Sequence, residues 1–398
     1  MTVFIKNASE ILTMTDGIGV VKNASIFVED GVFKQIGALK CPQECLTIDA
    51  QGCVVCPGFV DSHTHLVFGG TREDEFAMRL SGVTYERIAK AGGGIANTVK
   101  RTRTATENEL YHIALKRIAH LIRHGTTTVE IKSGYGLSLS EELKMLRVIN
   151  KLKRDAQIDI IPTYLAHTIP PKVKRRDYVD CIIKELIPEI TQKKLANFCD
   201  VFCDKIAFSK KESERILLKA KGCDLKLKIH ADQFSNSGGA YLAAALKCVS
   251  AEHLEYTTKG AIGAMHRAGV VPILLPGVSF FLQLDKKPDI KTFRKTKSAV
   301  AIASDFNPGS CMIYSMPKII SLACFIYGMR IEEALVGATK NSAQALALAD
   351  TIGSIEQGKQ ADMVILDVDN YKKIPYQFGE DMVKYTVKKG RIIYGKDR

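Results

Sequence analysis

The apolar positions of this chain change rhythm twice. Over roughly the first 57 residues they fall in short runs broken by turn residues. Ser25-Ile26-Phe27-Val28-Glu29 and Val32-Phe33-Lys34-Gln35-Ile36-Gly37 flank Asp30-Gly31, a hairpin signature. The far end has the same rhythm. There, 361–367 reads as a buried strand, and 383–387 with 392–394 as a second hairpin around Lys388-Lys389-Gly390-Arg391. Two β-rich ends around a different middle predict one small β-sandwich domain built from both termini.

The middle alternates strand and helix. Apolar strand candidates lie at 59–66, 126–132, 159–167, 198–204, 225–231, 248–254, 270–276 and 300–306. Between them run helical patterns, such as 107–124, 141–156, 179–190, 212–220 and 239–246. Eight βα units of this size predict an α/β chain, a TIM (β/α)8 barrel. A doubly wound sheet is the alternative, but no G-x-G-x-x-G follows the first strand. The expected division is 1–57 and 351–398 for the sandwich and 58–350 for the barrel. Ala91-Gly92-Gly93-Gly94 lies in a long segment after the first strand, where an active-site loop is expected rather than a phosphate cradle.

Composition narrows the class. The 398 residues are 46% hydrophobic, enough for a large core. No apolar run of membrane-spanning length occurs, so no membrane partner is expected. The net charge of +13 is spread over scattered groups such as Lys151, Lys153, Arg154, Lys286 and Lys287. No nucleic-acid motif accompanies them, and they read as solvated surface, with attraction of an anionic substrate the next reading. Met1 to Asn7 has no secretory apolar core, so the 11 cysteines are expected to be reduced and the protein cytoplasmic. Cys41, Cys45, Cys53 and Cys56 do not match the usual zinc-loop spacings and read as ordinary buried thiols.

The candidate chemistry sits at strand ends. The first barrel strand ends in His63-Thr64-His65, and positions i and i+2 of a strand face the same side, so both imidazoles can reach one metal. The fifth strand ends in His230, the sixth in His253 and the eighth in Asp305. One such residue is an ordinary core group; five on the C-terminal rim of a barrel predict an active site.

These residues also carry a resemblance. Pro57-Gly58-Phe59-Val60-Asp61-Ser62-His63-Thr64-His65 and the tail Gly353 to Val364 resemble the amidohydrolase superfamily. HTHLVFGGTREDEF from His63, VEIKSGYGL from Val129, HADQFSN from His230 and SDFNPGS from Ser304 are similar to the imidazolonepropionase family within it. The resemblance implies hydrolysis of 4-imidazolone-5-propanoate, a small anionic substrate, to N-formimidoyl-L-glutamate in histidine breakdown. It implies one Zn2+ or Fe3+ per subunit, held by His63, His65, His230 and Asp305. It also implies a homodimer. Catalysis falls to His253, stabilising developing charge, and to Asp305, relaying a proton. Gln233 stands where many superfamily members place a proton-shuttling Glu, and an amide can only hydrogen-bond. Arg72, Tyr135 and His167 are implied to hold the substrate, Arg72 by pairing with the propionate. Asn307, Gly309 and Ser310 are implied to line the glutamate end of the product. Cys311 beside them reads as a bystander thiol. Two other readings compete: another mononuclear amidohydrolase, such as a heterocycle deaminase, and a catalytically dead barrel used for binding.

Overall fold

A computed structural model of the chain describes residues 2–42, 45–83, 87 and 92–396. Five strands open the chain: β1 (Thr2–Leu12), β2 (Val20–Glu29), β3 (Val32–Gly37), β4 (Leu46–Asp49) and β5 (Val54–Pro57). Eight parallel strands follow: β6 (Phe59–Asp61), β7 (Thr126–Lys132), β8 (Asp159–Ala166), β9 (Phe198–Cys203), β10 (Lys226–Ala231), β11 (Ser250–His253), β12 (Val271–Leu274) and β13 (Ala301–Ile302). Then β14 (Met363–Leu366), β15 (Val383–Lys388) and β16 (Arg391–Gly395) return to the first sheet. That sheet runs β16-β15-β14-β5-β1-β2-β3, with β4 beside β1, so both ends of the chain share one mixed sheet.

Both predicted hairpins form. Asp30 and Gly31 take φ values of 52° and 77°, and Lys389 and Gly390 take 49° and 74°. Two left-handed residues in succession match the twist of the flanking strands, and glycine holds the second place without strain.

The barrel strands β6 to β13 pair in chain order. Their inward and outward faces are both covered, which is why apolar runs continue through both. Helices Glu107–Arg123 and Lys210–Lys221 begin at capping boxes, Thr106 with Glu109 and Ser209 with Glu212. The helix expected over 179–190 is instead Arg175–Cys181, a π-turn at Ile182–Leu186, and Ile187–Gln192. Pro188 has no N–H for a regular i−4 bond, and the widened turn accommodates its ring.

The expected strands 59–66 and 300–306 shorten to β6 and β13. Beyond them the barrel closes through bonds between irregular segments. Thr64 bridges Phe306, the Asp305 N–H donates to His63 O at 3.0 Å, and the His65 N–H donates to Phe306 O at 3.0 Å. Asp61 adds a tie, accepting from Ser304 N at 3.0 Å and Ser304 Oγ at 2.5 Å. Asp305 itself sits at φ 50°, off the strand conformation, between Ile302, where β13 ends, and the Thr64–Phe306 bridge. Of the cysteine run, Cys53 and Cys56 are buried as expected, whereas Cys41 is exposed with its Sγ 3.4 Å from that of Cys45. No helix among the described residues is long and apolar enough to cross a membrane.

Candidate metal centre and substrate pocket

The seam that closes the barrel is where its imidazoles meet a carboxylate. Asp305 Oδ1 lies 3.3 Å from His63 Nε2 and 3.2 Å from His65 Nε2. From β10, the His230 ring stands 4.6 Å from that of His63 and 5.7 Å from that of His65, centre to centre. From β11, the His253 ring stands 5.2 Å from His230 and 5.8 Å from His63. All five side chains are buried. The candidate ligand atoms of His63, His65 and Asp305 lie within 4.8 Å of one another, as do those of His63, His230 and His253. His63 belongs to both groups. The four sequence-predicted ligands are therefore gathered, with His253 as a fifth neighbour.

The donor set fits a metal ion. Nε2 of His63, Nε2 of His230 and Oδ1 of Asp305 are buried without a hydrogen-bond partner among the described residues. Buried polar atoms are rarely left so. Three imidazoles and one carboxylate suit zinc or iron equally.

Under this rim lies a buried charge network that sequence reasoning missed. Lys132 Nζ lies 2.8 Å from Asp200 and 2.9 Å from Glu130; Lys228 Nζ lies 2.7 Å from Glu130 and 3.2 Å from Glu252. All five side chains are inaccessible to solvent. Burial opposes each charge, but mutual attraction outweighs it: Lys132 is raised, and Asp200 and Glu252 are held low. The network reaches the metal centre through His230, whose Nδ1 lies 2.9 Å from Asp200 and 3.2 Å from Glu252. Burial alone would lower His230, yet the two carboxylates raise it to about 9. Both carboxylates lie on the Nδ1 side, so that nitrogen is the one that keeps its proton when Nε2 gives its own up. The available signal was charge in buried parallel strands, such as Lys228 two residues before His230.

The substrate side gathers around His65. The rings of Tyr135 and His167 stand 5.8 Å and 5.7 Å from His65 and 5.5 Å from each other. Glu142 builds the loop that carries Tyr135: its carboxylate accepts N–H bonds from Gly134 at 2.9 Å, Gly136 at 2.8 Å and Leu137 at 2.7 Å. Gly134 O in turn lies 3.3 Å from His167 Nδ1. Burial, with help from His65 and His230, lowers His167 to about 3, so its ring is neutral.

Arg72 packs against the loop after Asp305. A Cβ on Gly309 would collide with the Arg72 guanidinium, so only glycine permits this approach. Arg72 Nε is buried without a partner among the described residues, and Nη1 is 3.7 Å from Glu75. Glu75 also accepts from Gly94 N at 2.9 Å, which brings the end of the glycine run beside the pocket. Ala91 of that run lies outside the described residues. Asn307 shapes its own loop: its amide donates to Asp305 O and Ser310 Oγ, both at 2.7 Å, and Oδ1 accepts from Gly309 N and Ser310 N. Ser310 Oγ lies 3.5 Å from Asp305 Oδ2. Gln233 is buried three residues past His230, and Cys311 is a buried thiol raised by burial.

Residues 54–393 match the family model described as the amidohydrolase family. The chain is 44% identical to an imidazolonepropionase of Clostridium tetani over 99% of this chain and 98% of that protein. It is 42% identical to an imidazolonepropionase of Symbiobacterium thermophilum over 98% of this chain and 96% of that protein. Among solved structures, a triazine hydrolase from Arthrobacter aurescens superposes with a TM-score of 0.77 at 16% identity, covering 100% of this chain and 95% of that one. A mutant atrazine chlorohydrolase from the same organism, complexed with zinc and atraton, gives 0.75 at 15% identity, covering 100% and 96%.

Proposed function

The chain belongs to the amidohydrolase family, among the imidazolonepropionases, and from that membership we propose that it hydrolyses 4-imidazolone-5-propanoate to N-formimidoyl-L-glutamate at the seam of its barrel. One observation carries the substrate reading: the half-buried Arg72 side chain, packed on the loop after Asp305, keeps a buried Nε–H with no partner among the described residues. A buried donor of that kind suits a carboxylate, and the propionate supplies one.

His63, His65, His230 and Asp305 would hold one ion of zinc or iron. Such an ion supplies Lewis-acid chemistry, acidifying water and polarising a carbonyl. The other residues bind and orient. Arg72 pairs with the propionate, while Tyr135 and His167 flank the ring. Gly309 gives Arg72 its room, and Asn307 and Ser310 hold the loop at the glutamate end. His253 is neutral, lowered to about 3 by burial and by His230, and a neutral imidazole offers an N–H to developing negative charge. Gln233 orients by hydrogen bonds alone. A homodimer and a cytoplasmic location complete the reading.

Incubating the purified protein with imidazolonepropionate is expected to consume it without releasing ammonia. Ammonia release from a heterocycle, with imidazolonepropionate untouched, would replace this reading with that of a deaminase. Arg72→Lys is expected to weaken substrate affinity by about 1.5–3 kcal/mol, the worth of a hydrogen bond to a charged group. Lysine keeps the charge but loses the planar fork. Unchanged KM and kcat would place the propionate elsewhere.

A further inference from the structure

Glu255 is a buried acid with no part in the roles above. It follows His253 by two residues and is 1% exposed. Both carboxyl oxygens are buried and, beyond the residue's own backbone N–H, have no hydrogen-bond partner among the described residues. A satisfied structural glutamate would show such partners, as Glu142 does with three N–H bonds.

The backbone is strained to put it there. His253 and Leu254 take φ values of 74° and 72°, a left-handed pair without glycine. Strain of this kind concentrates where a site requires it. The Leu254 N–H donates to Ala231 O at 3.1 Å and the Tyr256 N–H to Asp232 O at 2.8 Å. These bonds bind the turn to the end of β10, the segment of His230 and Gln233. Glu255 thus lies on the same rim as the residue type it could replace.

The charged surroundings match. Asp305 on the loop after β13, Asp204 just past the end of β9, and Tyr327 at the end of the helix Met316–Tyr327 are close enough to act on it electrostatically. His253 precedes it on its own strand. Asp204 is already engaged with Phe234 N, Ser235 N and Ser235 Oγ. Burial raises the Glu255 carboxyl to about 8, and the two aspartates push the same way. The group is therefore protonated at neutral pH and close to titrating, as an acid catalyst should be.

We propose that Glu255 is the proton carrier of this site, performing through bridging water the transfer that Gln233 cannot. The inference rests on the proposed hydrolysis. In that reaction the oxygen of water bonds to the ring carbonyl carbon. The C–N bond breaks with its electron pair on nitrogen, and that nitrogen takes the Glu255 proton. The proton shed by the attacking water then restores Glu255.

The experiment compares Glu255→Gln with the wild type. Wild-type turnover of imidazolonepropionate, measured first, tests the functional reading separately. The wild-type kcat is expected to fall as pH rises through about 8, because the acid form is the donor. Glu255→Gln should keep metal content, melting temperature and KM, lose about 10²-fold or more in kcat, and lose that alkaline limb. Glu255→Ala should recover part of its kcat with added formate. Wild-type kcat and pH profile in Glu255→Gln would overturn the proposal, as would a rate loss matched by a loss of metal. If Glu255→Gln does not fold, Glu255→Asp decides: a kcat reduced at least tenfold with the limb retained supports the carrier, and a wild-type kcat overturns it.

Discussion

Asp305→Ala or His65→Ala is expected to strip the protein of its metal and abolish turnover while leaving it folded. Asp305 Oδ1 lies 3.3 Å and 3.2 Å from the Nε2 atoms of His63 and His65, so removing it takes away the one carboxylate that the family pattern gives the ion. The three imidazoles then face the cation without a carboxylate among them. The fold should survive, because the seam is held by backbone bonds that alanine keeps: Asp305 N to His63 O and His65 N to Phe306 O. Elemental analysis, melting temperature and turnover on one preparation check this. Full activity in a metal-free preparation would rule out the metal centre.

His253→Ala should behave differently, keeping metal and most substrate binding while kcat falls by about 10²–10⁴-fold. Its interaction is expected to strengthen only as charge develops, so the loss should appear in kcat rather than in KM. The competing role is concrete, since its ring nitrogens come within ligand distance of His63 and His230. Measured metal content separates the two. Loss of the ion would make His253 a ligand, and a near-normal kcat would remove it from the chemistry.

The two predictions depend on residues with different legibility in the sequence. His63 and His65 could be placed on one side of a strand by spacing alone, and β7 to β10 are apolar enough to locate within a residue or two. The seam was less legible. Residues 62–66 and 303–306 are as buried as strands although mostly polar, and their pairing partner is about 240 residues away and meets them through isolated bonds. Nothing local announces that geometry. The network of Lys132, Lys228, Glu130, Asp200 and Glu252 failed for a similar reason. Glu130 and Lys132 share β7, but Asp200, Lys228 and Glu252 sit on β9, β10 and β11, and only cross-strand pairing reveals that the charges neutralise one another. Glu142 lies in the first turn of a helix, where an acid is favourable in any case, so nothing local announces its three bonds to the Tyr135 loop. Glu255 was passed over because burial and missing partners are properties of the folded chain.

The pairing of β5 with β14 has a consequence for how the protein is made on the ribosome. β5 finds β1 within the first sixty residues, but its other edge stays open until Met363 comes opposite Pro57, about 300 residues later. At about 5–20 residues per second, that wait is about 15–60 s. Throughout it, an apolar strand one residue upstream of the first barrel strand exposes unpaired backbone groups. The interval in which a nascent chain is most open to mispairing or chaperone capture is therefore built into the topology, and ends only when β14 emerges.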